Sequence, residues 1–430
     1  MHTKTITAQG IVASAPARLN KQQIVAKGIA DLVMLAAGWH AELIATVDQS
    51  FAGWHVEIGD ADNDKLNEVL VTGAPNSQLR MFKKVRGTWI GRVLAENLAQ
   101  QVPGMGLTVK VVDLNNDGRN ELVLGTGQEG GGEAFFYVLQ TDGETLTRKI
   151  SCRTGYNQSA YTHNLAVYDL DGDGIKEVIS AYCGSGEVFR YNMDKELTTI
   201  KRTKVFQCSG SGEDAYIGDV DGDGKVECVI CSCYRENQAK VHIFDFDPKG
   251  ELILPPRITL EGYNKHLCFN CSVAVGDFDN DGKTELIVIW KRTYEISMGT
   301  IIAYRVNGNT ATPVYTIAED DNDLDTGYGE RLIHVADADN DGKNELIVST
   351  RGEGAPANGN GLGHVLMFKW GEDGKIQKTL LAKSLPGIAE SCWSAVGDAD
   401  NDGRNEIVIA TGKGDRTKPG ISYVWMMKKD

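Results

Sequence analysis

Three aspartates at alternate positions, a turn residue and a glutamate four places on make a cluster of hard oxygen ligands. This chain writes that cluster seven times. The sets are Asp60, Asp62, Asp64 and Glu68; Asp113, Asn115, Asp117 and Glu121; Asp169, Asp171, Asp173 and Glu177; Asp219, Asp221, Asp223 and Glu227; Asp277, Asp279, Asp281 and Glu285; Asp337, Asp339, Asp341 and Glu345; and Asp398, Asp400, Asp402 and Glu406. Their first residues stand 53, 56, 50, 58, 60 and 61 residues apart. In a tight loop alternate residues turn inward, so three carboxylates surround one point. Glycine after the third position permits the backbone reversal that returns the glutamate as a fourth ligand. Such a set suits calcium better than zinc or copper. An EF-hand closes on a glutamate at its twelfth position between two helices. Here the closing glutamate is the ninth residue and lies between β-branched runs. The expected unit is therefore a strand–loop–strand site, with up to seven structural calcium ions in the whole chain.

Two copies depart from the pattern. Lys65 stands where the other six have glycine, and Asn115 replaces the middle aspartate while keeping an oxygen ligand. The loops hold 27 of the 59 acidic residues, seven times four less Asn115. Without them the formal charge of −15 would be +12, and seven divalent ions would bring it to about −1. The acidic balance is thus a property of the loops and calls for no basic partner. No basic stripe with interleaved aromatics supports nucleic-acid binding. No apolar stretch is long enough to span a membrane. The first 25 residues, with Arg18 and Lys21, lack the apolar core of a signal peptide. Calcium sites of this kind need more calcium than a resting cytosol holds, so the expected location is extracellular.

The elements that must position these loops are strands. Runs such as Glu121-Leu-Val-Leu, Val241-His-Ile-Phe and Val365-Leu-Met-Phe are strand-length and rich in β-formers, and 49 glycines punctuate the chain between such runs. Each repeat reads as four strands with the acidic loop after the first. Four strands in 50 to 61 residues, seven times over, predict an all-β, seven-bladed propeller spanning residues 51–430. The last repeat supplies strands near Ser394–Gly397, Glu406–Ala410 and Ile421–Met427 and then stops. Ala41–Val47 would supply its fourth strand and close the ring, which removes open sheet edges. Residues 1–50 thus form a closing segment, with a degenerate eighth blade as the alternative.

These acidic loops at this spacing resemble the FG-GAP or VCBS repeats of calcium-loop β-propellers, over residues 52–430. That group is similar to integrin α-subunit heads, fungal propeller lectins and propeller polysaccharide lyases. The resemblance implies the fold and the calcium ligands, and says little about activity.

Nine cysteines stand at 152, 183, 208, 228, 231, 233, 268, 271 and 392. Cys228-x-x-Cys231 and Cys268-x-x-Cys271 match a zinc spacing. However, Cys228 and Cys231 fall on one strand with alternating faces and should not converge. Buried thiols, one or two disulfides near blades 3 to 5, and a zinc site are the three readings.

Recognition is expected on the face away from the acidic loops, where the repeats differ from one another. Trp54, His55, Tyr161, His163, Asn164, Glu213, Asp214, His266, Asn270, Glu330, Arg331, Glu390 and Trp393 precede the innermost strands. Gln128, Glu129, Tyr234, Arg235, Lys291, Arg292, Tyr294, Arg351, Lys413 and Arg416 follow the second strands. The cations gather on blades 4 to 7. A one-sided basic funnel beside His, Tyr and Trp suits an acidic polysaccharide. Cleavage by β-elimination would need a cation for the developing enolate and a proton-transfer pair. Arg235, Arg292 or Arg331 would neutralise the carboxylate, and His163 with Tyr161 or Tyr234 would move the protons. The propeller lyases are similar in using His, Tyr and Arg on this face, although their spacing is not reproduced. The alternative is a non-catalytic lectin or a protein-docking adhesion head. No second pair of converging carboxylates favours a hydrolase.

Overall fold

The second strand of every repeat is apolar at nearly each residue, as in Glu285–Lys291 (ELIVIWK), whose seven residues are all buried. A strand covered on one face only would alternate apolar with polar, so this composition demands a neighbour on both faces. A ring of radially packed sheets supplies that. The computed structural model describes residues 34–47, 51–99, 104–128, 133–156, 161–233, 239–263, 268–291, 298–324, 333–350, 364–383, 391–412 and 422–430. Among them the chain folds into seven antiparallel sheets and no helix.

Each sheet is a blade whose strands run from the centre outward in chain order. Blade 1 is Phe51–Gly59, Glu68–Pro75, Gln78–Val85 and Thr88–Ala95. Blades 2, 4 and 5 repeat the pattern from inner strands Gly104–Val112, Ser211–Gly218 and Asn270–Gly276. Blade 3 has a broken inner strand, Tyr161–Thr162 and then Ala166–Tyr168, both paired with Glu177–Cys183. Blade 6 starts at Ile333–Ala336 and gains a fifth strand, Met34–Leu35, at its outer edge. Blade 7 runs Ser391–Gly397, Glu406–Gly412 and Ser422–Lys429, and takes its outer strand from Trp39–Val47. That strand begins two residues before the expected Ala41–Val47 segment.

Pleat alternation divides each second strand between two junctions. Ile287 and Ile289 join the cluster between blades 5 and 6, while Leu286 and Val288 join the one between blades 4 and 5. Ile407 and Ile409 face blade 6, and Val408 and Ala410 face blade 1. The apolar core is thereby seven slabs, one per junction. Each fully buried Leu or Ile contributes about 1.5–3 kcal/mol. At the closing junction Lys84 Nζ bridges Glu42 of the N-terminal strand (3.0 Å) and Asp400 (3.1 Å), and Trp89 Nε1 donates to Glu42 (2.8 Å).

Candidate functional site

The seven acidic loops join the first and second strands of the seven blades and share one hydrogen-bond pattern. The first aspartate accepts the N–H five residues on, at 2.8–3.0 Å in every copy. The third aspartate accepts the N–H two residues after itself, at 2.8–3.0 Å. One oxygen of the glutamate accepts the N–H after the first aspartate, at 2.9–3.1 Å. The other glutamate oxygen meets a side-chain cation or amide of the same blade in every copy. Burial pushes the carboxyls of all seven glutamates up, Glu227 to about 7. In sets such as Asp60, Asp62 and Glu68, one ligand atom from each lies within 4.8 Å of the others. Buried oxygens of Asp60, Asp339 and Asn115 have no hydrogen-bond partner among the described residues. An all-oxygen set with inward, unsatisfied acceptors fits a hard divalent cation.

Two positions in each loop are left-handed. The sixth is Gly in six copies, with φ of +84° to +87°, and Lys65 takes φ +74° in the first. Lys65 N–H still reaches Asp60 at 3.0 Å, so the loop keeps its shape despite a side chain where glycine is easier. The fourth position is always Asn or Gly, also left-handed, from Asn116 at +56° to Gly222 at +77°. This second signal stands in the sequence as an Asn or Gly at the fourth position of all seven copies.

That fourth residue has a further task. Asn340 accepts the N–H of Asn405 in the next blade (2.7 Å) and donates to its carbonyl (3.0 Å). Asn405 Nδ2 in turn donates to the carbonyl of Asp337 (2.8 Å). The same clasp joins Asn280 to Asn344, Asn401 to Asn67, and Asn63 to Asn120. Four consecutive junctions, from blade 5 round through the closure to blade 2, are tied loop to loop. The pairing of an Asn at position four with an Asn at position eight of the next copy was written in the repeats.

A second unanticipated component is a cation supplied by the blade itself. Lys83 Nζ lies 2.8, 2.5 and 3.0 Å from Asp62, Asp64 and Glu68. Lys369 lies 2.8, 2.5 and 3.1 Å from Asp339, Asp341 and Glu345. Lys428 serves Asp400, Asp402 and Glu406, and Arg305 serves Asp279, Asp281 and Glu285. All four stand on third strands beside the loop. Burial alone would lower the Lys83 ammonium's pKa, but its three carboxylates together raise it well above the ordinary lysine value. Blades 3 and 4 use arginines: Arg190 lies 3.6 Å from Asp171 and 3.3 Å from Glu177, and Arg257 lies 2.9 Å from Asp221 and 3.4 Å from Glu227. In blade 2 the partner is neutral: Gln140 donates to Glu121 at 2.5 Å. No ion pair reaches the blade 2 carboxylates among the described residues.

The opposite ends of the inner strands carry different chemistry in each blade. Blades 1, 2 and 4 each hold an extra residue six places before the first loop aspartate, marked by register shifts around Trp54, Leu107 and Glu213. In blade 3 that place is His163, in the gap of the broken strand. His163 and Glu213 meet across the junction, Nδ1 to carboxylate oxygen 2.8 Å, and both are buried. The Tyr161 ring lies over His163 at 5.8 Å between centroids. One residue on, Asn164 donates to Asp214 at 2.5 Å. Asp214 also accepts from Ser272 Oγ (3.0 Å) and the N–H groups of Ala215 and Val273. Burial nevertheless pushes its carboxyl up to about 6. Both Asn164 and Asp214 line a central cavity of about 530 Å³, walled by the inner strands.

Of the proposed proton-transfer and carboxylate-binding residues, the structure brings Tyr161 and His163 together. Tyr234, Arg235, Arg292 and Arg331 lie outside the described residues, as do Glu129, His266, Tyr294, Glu330, Arg351, Glu390, Lys413 and Arg416. His55, Asn270, Lys291 and Trp393 are buried. Trp393 packs in the same apolar cluster as Tyr161. Cys228 and Cys231 diverge into different junctions, as strand alternation requires, whereas Cys231, Cys233, Cys268 and Cys271 share the slab between blades 4 and 5. Cys233 and Cys271 sulfurs are 3.9 Å apart, in hydrogen-bond contact and not joined by a disulfide. Burial pushes the Cys231 thiol up to about 12, which makes it inert.

Three overlapping segments, residues 113–180, 169–230 and 219–288, match the FG-GAP-like repeat family. The chain is a seven-bladed β-propeller that carries FG-GAP-like repeats. Among solved structures it is similar to a Bacteroides fragilis protein described as a candidate 6-phosphogluconolactonase, with TM-score 0.48 and 15% identity over 87% of this chain and 93% of that one. The Dos1 propeller gives 0.45 and 10% over 92% and 96%, and Saccharomyces cerevisiae Sqt1 gives 0.49 and 10% over 88% and 97%. Likenesses this distant carry no argument about activity. No curated protein matches the chain. No helix among the described residues is long and apolar enough to cross a membrane. A propeller with FG-GAP-like repeats has the architecture of a ligand-binding scaffold, and this one has acidic clusters that could hold metal ions.

Proposed function

We propose that this FG-GAP propeller is a recognition module stabilised by calcium in its acidic loops, with one asymmetric site for an anionic polysaccharide at the channel mouth opposite them. The observation that carries this reading is the contrast along the inner strands. The loop ends repeat one ligand set, while the other ends join His163 to Glu213 and Asn164 to Asp214 at a single junction. Seven equivalent sugar pockets would repeat the same residues in every blade, and these do not repeat. Calcium would be held by the aspartates and glutamate of each loop, neutralising charge and stiffening the turn between strands. An extracellular, calcium-rich setting follows from that demand.

Cleavage by β-elimination is a second reading, favoured by the Glu213 carboxylate that orients His163 beneath Tyr161. A carboxylate-oriented imidazole is a competent proton acceptor. The arginines at 235, 292 and 331 would meet the uronate carboxylate. The test is to titrate the calcium-loaded protein with uronate-containing polysaccharides by calorimetry while following the ultraviolet absorbance of an unsaturated product. Binding that weakens in Arg292→Ala supports the site. A rising absorbance lost in His163→Ala makes it a lyase. Heat and absorbance both silent across the panel would discard the polysaccharide reading in favour of a protein-docking head.

A further inference from the structure

The acidic loops are all-oxygen sets, but one cluster at the other end of the inner strands has a different donor composition. A ring nitrogen of His163, the sulfur of Cys183 and a carboxylate oxygen of Glu213 lie within 4.8 Å of one another. We infer that His163, Cys183 and Glu213 form a binding site for a zinc-class transition-metal ion, distinct from the acidic loops in place and in chemistry.

Three independent features of the chain converge on it. Cys183 is the last residue of its strand and pairs with Tyr161, two residues before His163, so the sulfur is delivered beside the ring. His163 and Glu213 are the equivalent irregular positions of adjacent inner strands, one in a strand break and one at a register shift. Such irregularities re-aim a side chain that regular pleating would send elsewhere, and they gather at functional sites. The turn after Cys183 is pinned from blade 4, since Gly184 N–H donates to Ser211 Oγ at 3.0 Å and that hydroxyl lies 3.9 Å from the Cys183 sulfur.

The donor set decides the ion. Imidazole, thiolate and carboxylate together bind zinc or cobalt(II) and reject calcium, which prefers six or more oxygens. Ligands about a zinc ion stand roughly 2.0–2.3 Å from the metal, so donor atoms already this close need only small rotations. Binding releases the thiol proton and separates the direct His163–Glu213 contact, placing the ion between them. His163 and Glu213 are buried, whereas Cys183 is half-buried and gives the cluster its route to solvent. Among the described residues the set supplies three protein ligands, the number that in a tetrahedral site goes with one position for water or a ligand atom.

The test uses the full chain, stripped of metals, resupplied with excess calcium to saturate the oxygen loops, and titrated with cobalt(II). One equivalent should bind with a thiolate-to-cobalt charge-transfer band in the near ultraviolet. Cys183→Ser should abolish the band, and Glu213→Gln should weaken binding roughly tenfold or more. Each variant's melting temperature in calcium reports whether it is folded. If a variant fails to fold, zinc protection of Cys183 from alkylation in the unmodified chain, read by mass spectrometry, gives the same answer. No band, a band that survives Cys183→Ser, or alkylation of Cys183 unaffected by zinc would overturn the inference.

Discussion

The two ends of the seven inner strands differ in how strictly they repeat. At one end every loop uses the same three hydrogen bonds, the same two left-handed residues and the same buried glutamate. At the other, the equivalent place holds Trp54, Leu107, His163 and Glu213 in successive blades. Repetition at the first end meets a need that every blade shares, to turn the chain tightly while gathering like charges. Divergence at the second end is what a single asymmetric site requires. The proposed site therefore rests on an irregularity kept at one register position with changing residue type, whereas the most repeated motif serves every blade alike.

The largest expected effect is on the repeated end. Removing divalent cations with a chelator should lower the melting temperature strongly, because each saturated site adds about 2.7 kcal/mol at a hundredfold excess over its Kd. A melting curve indifferent to chelator would show that the internal lysines and arginines suffice. A smaller effect separates the two ends directly. Glu285→Ala removes one of the three carboxylates around Arg305 and leaves the buried Phe278 N–H without its acceptor, and should cost about 1–3 kcal/mol in urea unfolding. Glu213→Gln keeps the shape and a hydrogen bond at the divergent end and should cost far less. Equal costs would erase the distinction.

Asp214 sharpens the divergent end. Its folded pKa of about 6 lies above the unfolded value near 3.9, so the native state holds the proton more tightly. Its contribution is therefore greatest below about pH 4 and declines as pH rises towards 6, by at most about 3 kcal/mol. Unfolding free energies of the unmodified chain and Asp214→Asn, measured from pH 4 to 7, should differ with that slope and run parallel above it. A constant difference would place Asp214 in an ordinary solvated setting. The smallest effect returns to the loops. Lys65→Gly relieves a side chain held at φ +74° and should stabilise by about 1 kcal/mol, read by urea unfolding. A destabilised variant would mean that the Lys65 side chain itself contributes.

Much of this was legible in the residues. The period and the acidic motif foretold an all-β ring of seven blades, because a motif tied to local turn geometry repeats wherever the turn does. Asn at positions four and eight was equally visible, but its meaning was not. The partner of Asn340 is Asn405, 65 residues away, and only neighbouring blades bring them together. Likewise Lys83 and Lys369 read as surface lysines until the third strand is laid beside the loop.

By itself, then, the sequence determined what is local: loop chemistry, strand length, two-faced burial of the second strands and the count of blades. Each of these follows from residues close along the chain and from a backbone with few allowed shapes. Tertiary structure alone decided which charges meet. The ammonium among three carboxylates, the clasp across the closing junction and the meeting of His163, Cys183 and Glu213 depend on register and on the packing of blade against blade. Those contacts are set by burial of apolar slabs summed over the whole ring, and no short stretch of residues encodes that sum.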